Sequence, residues 1–157
     1  MTTGLTKFER VEIQMEAVVP LIRRLQRELG DDVVLAALRR QLDERIDEAR
    51  VARAAKGKQA DMSRVAPGME AWATGGALEY EVLENDDDRV DLDVSYCRYS
   101  ELMDRLGARD LGEILVCGDD YVGAAAVGMD LDRVHTHMTG DGFCDFRFTK
   151  VEITGKA

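Results

Sequence analysis

The chain has 157 residues, 45% apolar and 33% charged, a balance that suits one folded domain with a real core and argues against wholesale disorder. A formal net charge of −10 and a pI near 4.7 create a field that repels phosphate backbones and anionic headgroups, so neither nucleic acid nor a membrane is an expected partner. No window approaches the roughly 18–20 apolar residues of a membrane span, and the start Met-Thr-Thr-Gly-Leu-Thr-Lys has no basic stretch leading into an apolar run, so a cytoplasmic location is expected.

Residues 5–29 place Leu5, Phe8, Val11, Ile13, Met15, Val18, Val19, Leu21, Ile22 and Leu25 mostly at three- and four-residue steps, which predicts an amphipathic helix. Pro20 deletes a backbone donor and predicts a kink or break near residues 18–20. The apolar stripe belongs in a core, and it could also serve a homo-oligomeric contact. Gly30 ends this helix, and a second follows over residues 32–56, with Val33, Leu35, Leu38, Leu42, Ile46 and Val51 on one face and sign-alternating charges on the other. Residues 57–76 mix Gly and Pro with the lone Trp72 and read as a connector with one short helical piece over residues 69–73.

After Gly75-Gly76 the period changes to two. Leu78, Tyr80 and Val82 alternate with glutamates, and Val90, Leu92, Val94 and Tyr96 alternate with Asp91, Asp93 and Ser95, with the polar turn 85–88 between them. Residues 99–106, 110–115 and 121–127 read as short helices. Residues 133–138 and 143–153 read as two more strands joined by Thr139-Gly-Asp-Gly142. The expected fold is therefore α+β, one domain over residues 1–157: a helical part (1–60), then an α+β part (76–155) with a four-stranded antiparallel β-β-α-β-β sheet packed on helices.

Sorting strand residues by alternation puts Cys97, His135, His137, Asp145 and Arg147 on one sheet surface and sends Cys144 into the core. A wetted antiparallel face would look the same. Three cysteines with no Cys-x-x-Cys pair indicate reduced thiols rather than a disulfide framework or zinc ribbon. The two histidines complete no standard zinc spacing, so no metal and no cofactor is assigned. Cys117 ends the run Ile114-Leu115-Val116 just before a helix expected at residue 120 or 121, where helix-end amides could favour a thiolate.

Four ordered stretches carry a resemblance: Trp72-x-x-Gly75-Gly76-Ala77-Leu78-Glu79-x-Glu81-Val82, Val94-x-x-Cys97-x-Tyr99, Cys117-x-x-Asp120-Tyr121, and Arg133-x-x-Thr136-x-x-x-Gly140-x-x-x-Cys144-Asp145-Phe146-Arg147-Phe148. Together they resemble the L-2-amino-thiazoline-4-carboxylic acid hydrolase family over most of the chain. The resemblance implies hydrolytic opening of the thiazoline ring of a small-molecule substrate to N-carbamoyl-cysteine. It also carries Cys97, Cys117, Asp120, Arg133, Thr136, Cys144 and Asp145 over as site residues.

Ring opening needs a nucleophile, a proton carrier and an anchor for the substrate carboxylate. Cys117 can be the nucleophile with Cys97 in reserve, Asp120 the proton carrier, and Arg133 or Arg147 the bidentate clamp. Equally, Asp120 can activate water while the thiols line the pocket. Arg133 and Thr136 fall on opposite strand faces, so one site can use both only if a bulge shifts the register. The alternative is a non-catalytic small-molecule-binding module, since the ending Gly140-Asp-Gly-Phe-Cys144-Asp-Phe146 also resembles the last hairpin of vinyl-reductase-like sensor domains.

Overall fold

The computed structural model describes residues 4–152. Helix α1, Lys7–Leu29, opens on a capping box in which the Thr6 hydroxyl accepts from the Glu9 amide at 3.2 Å and the Glu9 carboxylate accepts from the Thr6 amide at 2.7 Å. Pro20 sits inside α1 without breaking it. The residue is exposed, so water can hydrate the carbonyl one turn earlier that proline leaves without a donor, while Met15, Val19 and Ile22 stay buried. Gly30, at φ 92°, separates α1 from α2, Asp31–Lys56, which ends at the left-handed Gly57.

The connector is more ordered than its composition predicts. A 3₁₀ turn, Met62–Arg64, runs into α3, Val65–Ala73, and Pro67 falls in its first turn, where a missing amide matters least. Strands β1, Leu78–Asn85, and β2, Arg89–Cys97, form the expected hairpin, with the Asp86 carboxylate accepting from the amides of Asp88 and Arg89. Helix α4, Arg98–Arg105, follows directly. Next, α5, Arg109–Gly112, passes through a π-helical turn, Glu113–Cys117, into α6, Gly118–Val127.

The third strand is not where alternation put it. Strand β3 is Met129–Asp132, and residues 133–138 are irregular. Their amides are met by side chains instead of a ladder: the Asp145 carboxylate accepts from Val134 at 3.0 Å and His135 at 2.6 Å, and the Cys144 sulfur accepts from His137 at 3.3 Å. Val134, which strand alternation would set on the face opposite His135 and His137, is 72% exposed. Strand β4 is Cys144–Lys150; its expected continuation to Ile153 lies outside the described residues.

The sheet is antiparallel throughout, in the order β1-β2-β4-β3, so β4 inserts between β2 and β3. Pairing of Val90 with Phe148, Leu92 with Phe146 and Val94 with Cys144 makes one apolar face. The other face is charged, with Arg147 bonded to Asp93 at 2.8 Å and Arg89 to Asp91 at 2.7 Å. Two apolar clusters result. One joins Phe8, Met15, Val19 and Ile22 of α1 to Tyr99, Leu102, Met103 and Leu111. The other joins the sheet face to Met62, Val65, Met69 and Ala124. Leu78 and Cys97 pack against both, which marks the seam where the site lies. Among the described residues no helix is long and apolar enough to cross a membrane.

Candidate functional site

A bulge brings Cys97 to this seam. Glu79 pairs with Tyr96 but Tyr80 with Val94, so Ser95 is an extra residue in β2. The extra residue inverts the alternation beyond it and turns Cys97 to the apolar face, beside Leu78 and Val94 and away from Asp91 and Asp93. The expectation that Cys97 shares a surface with Asp145 and Arg147 is thereby corrected.

Cys117 and Asp120 arrive from the helix. Three positions apart on a helical frame, they lie on one side of it, and the π turn ahead of them, one residue wider than an α turn, sets which side that is. Cys117 is not at a helix start, because the backbone is already helical from Arg109 onward. No free helix-end amides are therefore available to hold a thiolate there.

Arg133 leaves the sheet immediately after β3 and runs back beneath α6. Its Nη1 donates to the Asp120 carboxylate at 2.7 Å and its Nη2 to the Cys117 carbonyl at 3.1 Å. The guanidinium carbon lies 5.1 Å from the Tyr121 ring centroid and 4.7 Å from that of Phe146. Its side chain is only 2% exposed, and its Nε is buried with no partner among the described residues.

These side chains line a cavity of ≈ 50 Å³, with Cys97, Cys117, Cys144, Asp120 and Arg133 in its wall beside Met69, Trp72, Tyr99, Phe146 and the aliphatic Leu78, Val94 and Val116. That space admits ordered water. Trp72 is held edge-on to Tyr99 at 5.7 Å, and Tyr99 edge-on to Phe8 at 5.2 Å, so α1 braces the wall through an aromatic chain. The Tyr99 hydroxyl donates to the Trp72 carbonyl at 3.2 Å.

Burial dominates the electrostatics. It pushes the Cys117 thiol strongly up, with the Arg133 charge only partly offsetting it, and it raises Cys97 as well. Cys144 is pushed up to about 11 for the same reason. All three thiols are therefore neutral near pH 7. Burial also moves Asp120 above the ordinary carboxylate range against the pull of Arg133. The buried guanidinium, with Asp120 as its one anionic partner among the described residues, favours the ionised carboxylate and opposes that shift.

Of the residues singled out in the sequence, Cys97, Cys117, Cys144, Asp120 and Arg133 converge on the cavity. Arg147 lies on the charged sheet face, tied to Asp93 and the Leu92 carbonyl. Asp145 caps the 133–135 backbone, and Thr136 is buried in a turn where its hydroxyl meets Thr139 at 3.1 Å. The histidines do not converge: His135 stacks on Phe143, and His137 Nε2 meets the Val94 carbonyl at 3.0 Å. Among the described residues no three His, Cys, Asp or Glu side chains form a metal-binding group. Sequence reasoning gave no role at the site to Met69 or Tyr121, since an aliphatic or aromatic residue on a helix signals core.

No curated protein matches the chain. The family model described as L-2-amino-thiazoline-4-carboxylic acid hydrolase matches residues 10–148, a stretch that contains every residue of the cavity wall, and the chain belongs to that family.

Proposed function

We propose that the protein is a hydrolase that opens the ring of 2-amino-thiazoline-4-carboxylate, or of a close heterocyclic relative, at the amidine-like carbon between sulfur and nitrogen. Family membership supports the reaction class. The observation that carries the chemistry is the ion pair of Asp120 with Arg133 in the wall of a water-sized, thiol-lined cavity.

Of the two mechanisms open to these residues, the neutral thiols favour water over Cys117 as the nucleophile. Asp120, in its ionised form a stronger base than an ordinary aspartate, removes a proton from a water that adds to the amidine-like carbon. The carbon–sulfur bond of the tetrahedral intermediate then breaks. Asp120 returns its proton to the leaving side, so that water adds across the bond and N-carbamoyl-cysteine forms with a free thiol. Arg133 favours the ionised form of Asp120 and aims it. The thiols give the departing sulfur polarizable, weakly hydrogen-bonding neighbours.

The test is to incubate purified protein with the thiazoline and follow thiol release together with the mass gain of one water. Absence of both under conditions where the protein is folded rejects the reaction. The alternative, a non-catalytic small-molecule-binding module, predicts binding without turnover in the same assay.

A further inference from the structure

An open cleft of ≈ 460 Å³ runs on the other side of the cavity wall, and Met69, Trp72 and Asp120 face both spaces. Its charges are unequally engaged. Asp119 is paired with Arg45 at 2.8 Å, Asp120 with Arg133 at 2.7 Å, and Asp61 accepts from the Ser63 hydroxyl at 2.5 Å. Lys7 and Arg64, which also line the cleft, have no carboxylate partner among the described residues. Arg53 gives one Nη to the Gln59 carbonyl and leaves its Nε without a partner.

In a chain of net charge −10, a cleft in which two of the three carboxylates are ion-paired and only Asp61 is not, against Lys7, Arg53 and Arg64 without carboxylate partners among the described residues, carries a local positive excess that suits an anion. Lys7 is held over the Trp72 ring at 4.3 Å, and its charge reaches Asp120. The two arginines first considered as a carboxylate clamp are both committed. Arg133 uses both Nη atoms on Asp120 and the Cys117 carbonyl, and Arg147 is on the other face of the sheet.

We propose that this cleft is the carboxylate subsite, with Lys7 and Arg64 as its anchors, and that the ring reaches Asp120 from the cleft side past Met69 and Trp72. The inference rests on the hydrolase reading for the identity of the ligand. Lys7 stands in the first turn of α1, just ahead of the stretch that the family model matches. The floor is open: a Cβ added at Gly68 or Gly123 meets nothing within 4 Å.

Calorimetry on the full chain tests this with thiazolidine-4-carboxylate, which keeps the ring and carboxylate but has no amidine carbon to attack, against thiazolidine, which lacks the carboxylate. The wild type should bind the carboxylate about tenfold or more tightly, as charge-assisted bonds would give. The double variant Lys7→Met/Arg64→Met should lose that preference and leave thiazolidine binding unchanged. Gly123→Leu, which meets open space, should weaken both ligands with the fold intact by circular dichroism. A preference that survives in the double variant overturns the subsite, as does a wild type that does not discriminate, or undiminished binding in Gly123→Leu. Turnover is scored separately. Retained preference in a wild type that never hydrolyses the thiazoline rejects the reaction and leaves the subsite standing, and turnover with an insensitive double variant does the reverse.

Discussion

The Arg133 guanidinium and the Asp120 carboxylate meet at 2.7 Å across 13 positions of sequence, with the arginine side chain only 2% exposed. A buried pair of this kind contributes little net stability but is costly to half-remove, because the survivor is an uncompensated charge. Arg133→Met should therefore lose about 3–5 kcal/mol in urea unfolding. Asp120→Asn keeps an oxygen for Arg133 to bond but leaves its charge unmatched, so it should lose up to about 3–5 kcal/mol as well, and under conditions where the variant is folded its turnover should fall by about 10²–10⁴. An Asn variant with wild-type turnover removes Asp120 from the proton-transfer role. In the wild type the acid limb of kcat/KM should lie above the ordinary carboxylate range, since burial raises Asp120 and the base works only when ionised.

Cys117 has a neutral thiol, and Arg133 contacts only its carbonyl, which any residue supplies. Cys117→Ala and Cys117→Ser should retain turnover within about tenfold, roughly 1.4 kcal/mol of barrier. A far larger loss, with a covalent adduct on Cys117 visible by mass spectrometry, would restore it as the nucleophile. Alkylation of this thiol at neutral pH should be slow for the same reason.

Cys144 makes alkaline stability testable. It is 5% exposed and its thiol is pushed up to about 11, from an ordinary 9.0. The unfolded chain releases that proton first, so between pH 9 and about 11 the unfolded state binds fewer protons, and stability falls as pH rises. The stabilisation is fully present below pH 9, and Cys144 contributes about 2–3 kcal/mol across that window. Cys97, Cys117 and Tyr99 shift in the same direction and steepen the wild-type curve. Cys144→Ala should make the slope shallower in denaturation at stepped pH; an unchanged slope would place that thiol in water.

Gly118 tests how α6 is seated. A Cβ there would lie 2.7 and 2.9 Å from the two Cδ atoms of Leu42 on α2. Gly118→Ala should lower stability by about 1–3 kcal/mol despite alanine's better helix propensity. Adding Leu42→Ala should recover part of the loss by vacating the space. Additive losses in the double variant would show that the two helices are not in contact there.

Much of the architecture was legible locally. Period 3.6 over α1 and α2, period 2 over β1 and β2, and the polar turn between the strands each specify an element from its own residues, because burying one face of a helix or strand is a local pattern. The ordered Cys-x-x-Asp and Cys-Asp-Phe stretches likewise pointed to Cys117, Asp120 and Cys144. Only the tertiary structure settled the rest. Arg133-x-His135-x-His137 alternates like a strand, yet its backbone donors find Asp145 and Cys144 instead of a ladder, and whether a partner strand is available is a property of the whole sheet. Cys97 faces the cavity because Ser95 is an extra residue opposite β1, and a bulge exists only in a pairing. Arg133 and Arg147 look equivalent as carboxylate clamps in sequence. The fold seals one against Asp120 and turns the other to the far side of the sheet, while two ordinary surface cations, Lys7 and Arg64, are brought to one cleft by helices far apart in the chain. Alternation states which side a residue takes within its own strand; which side carries the site follows from the packing of α6 and α3 against the sheet.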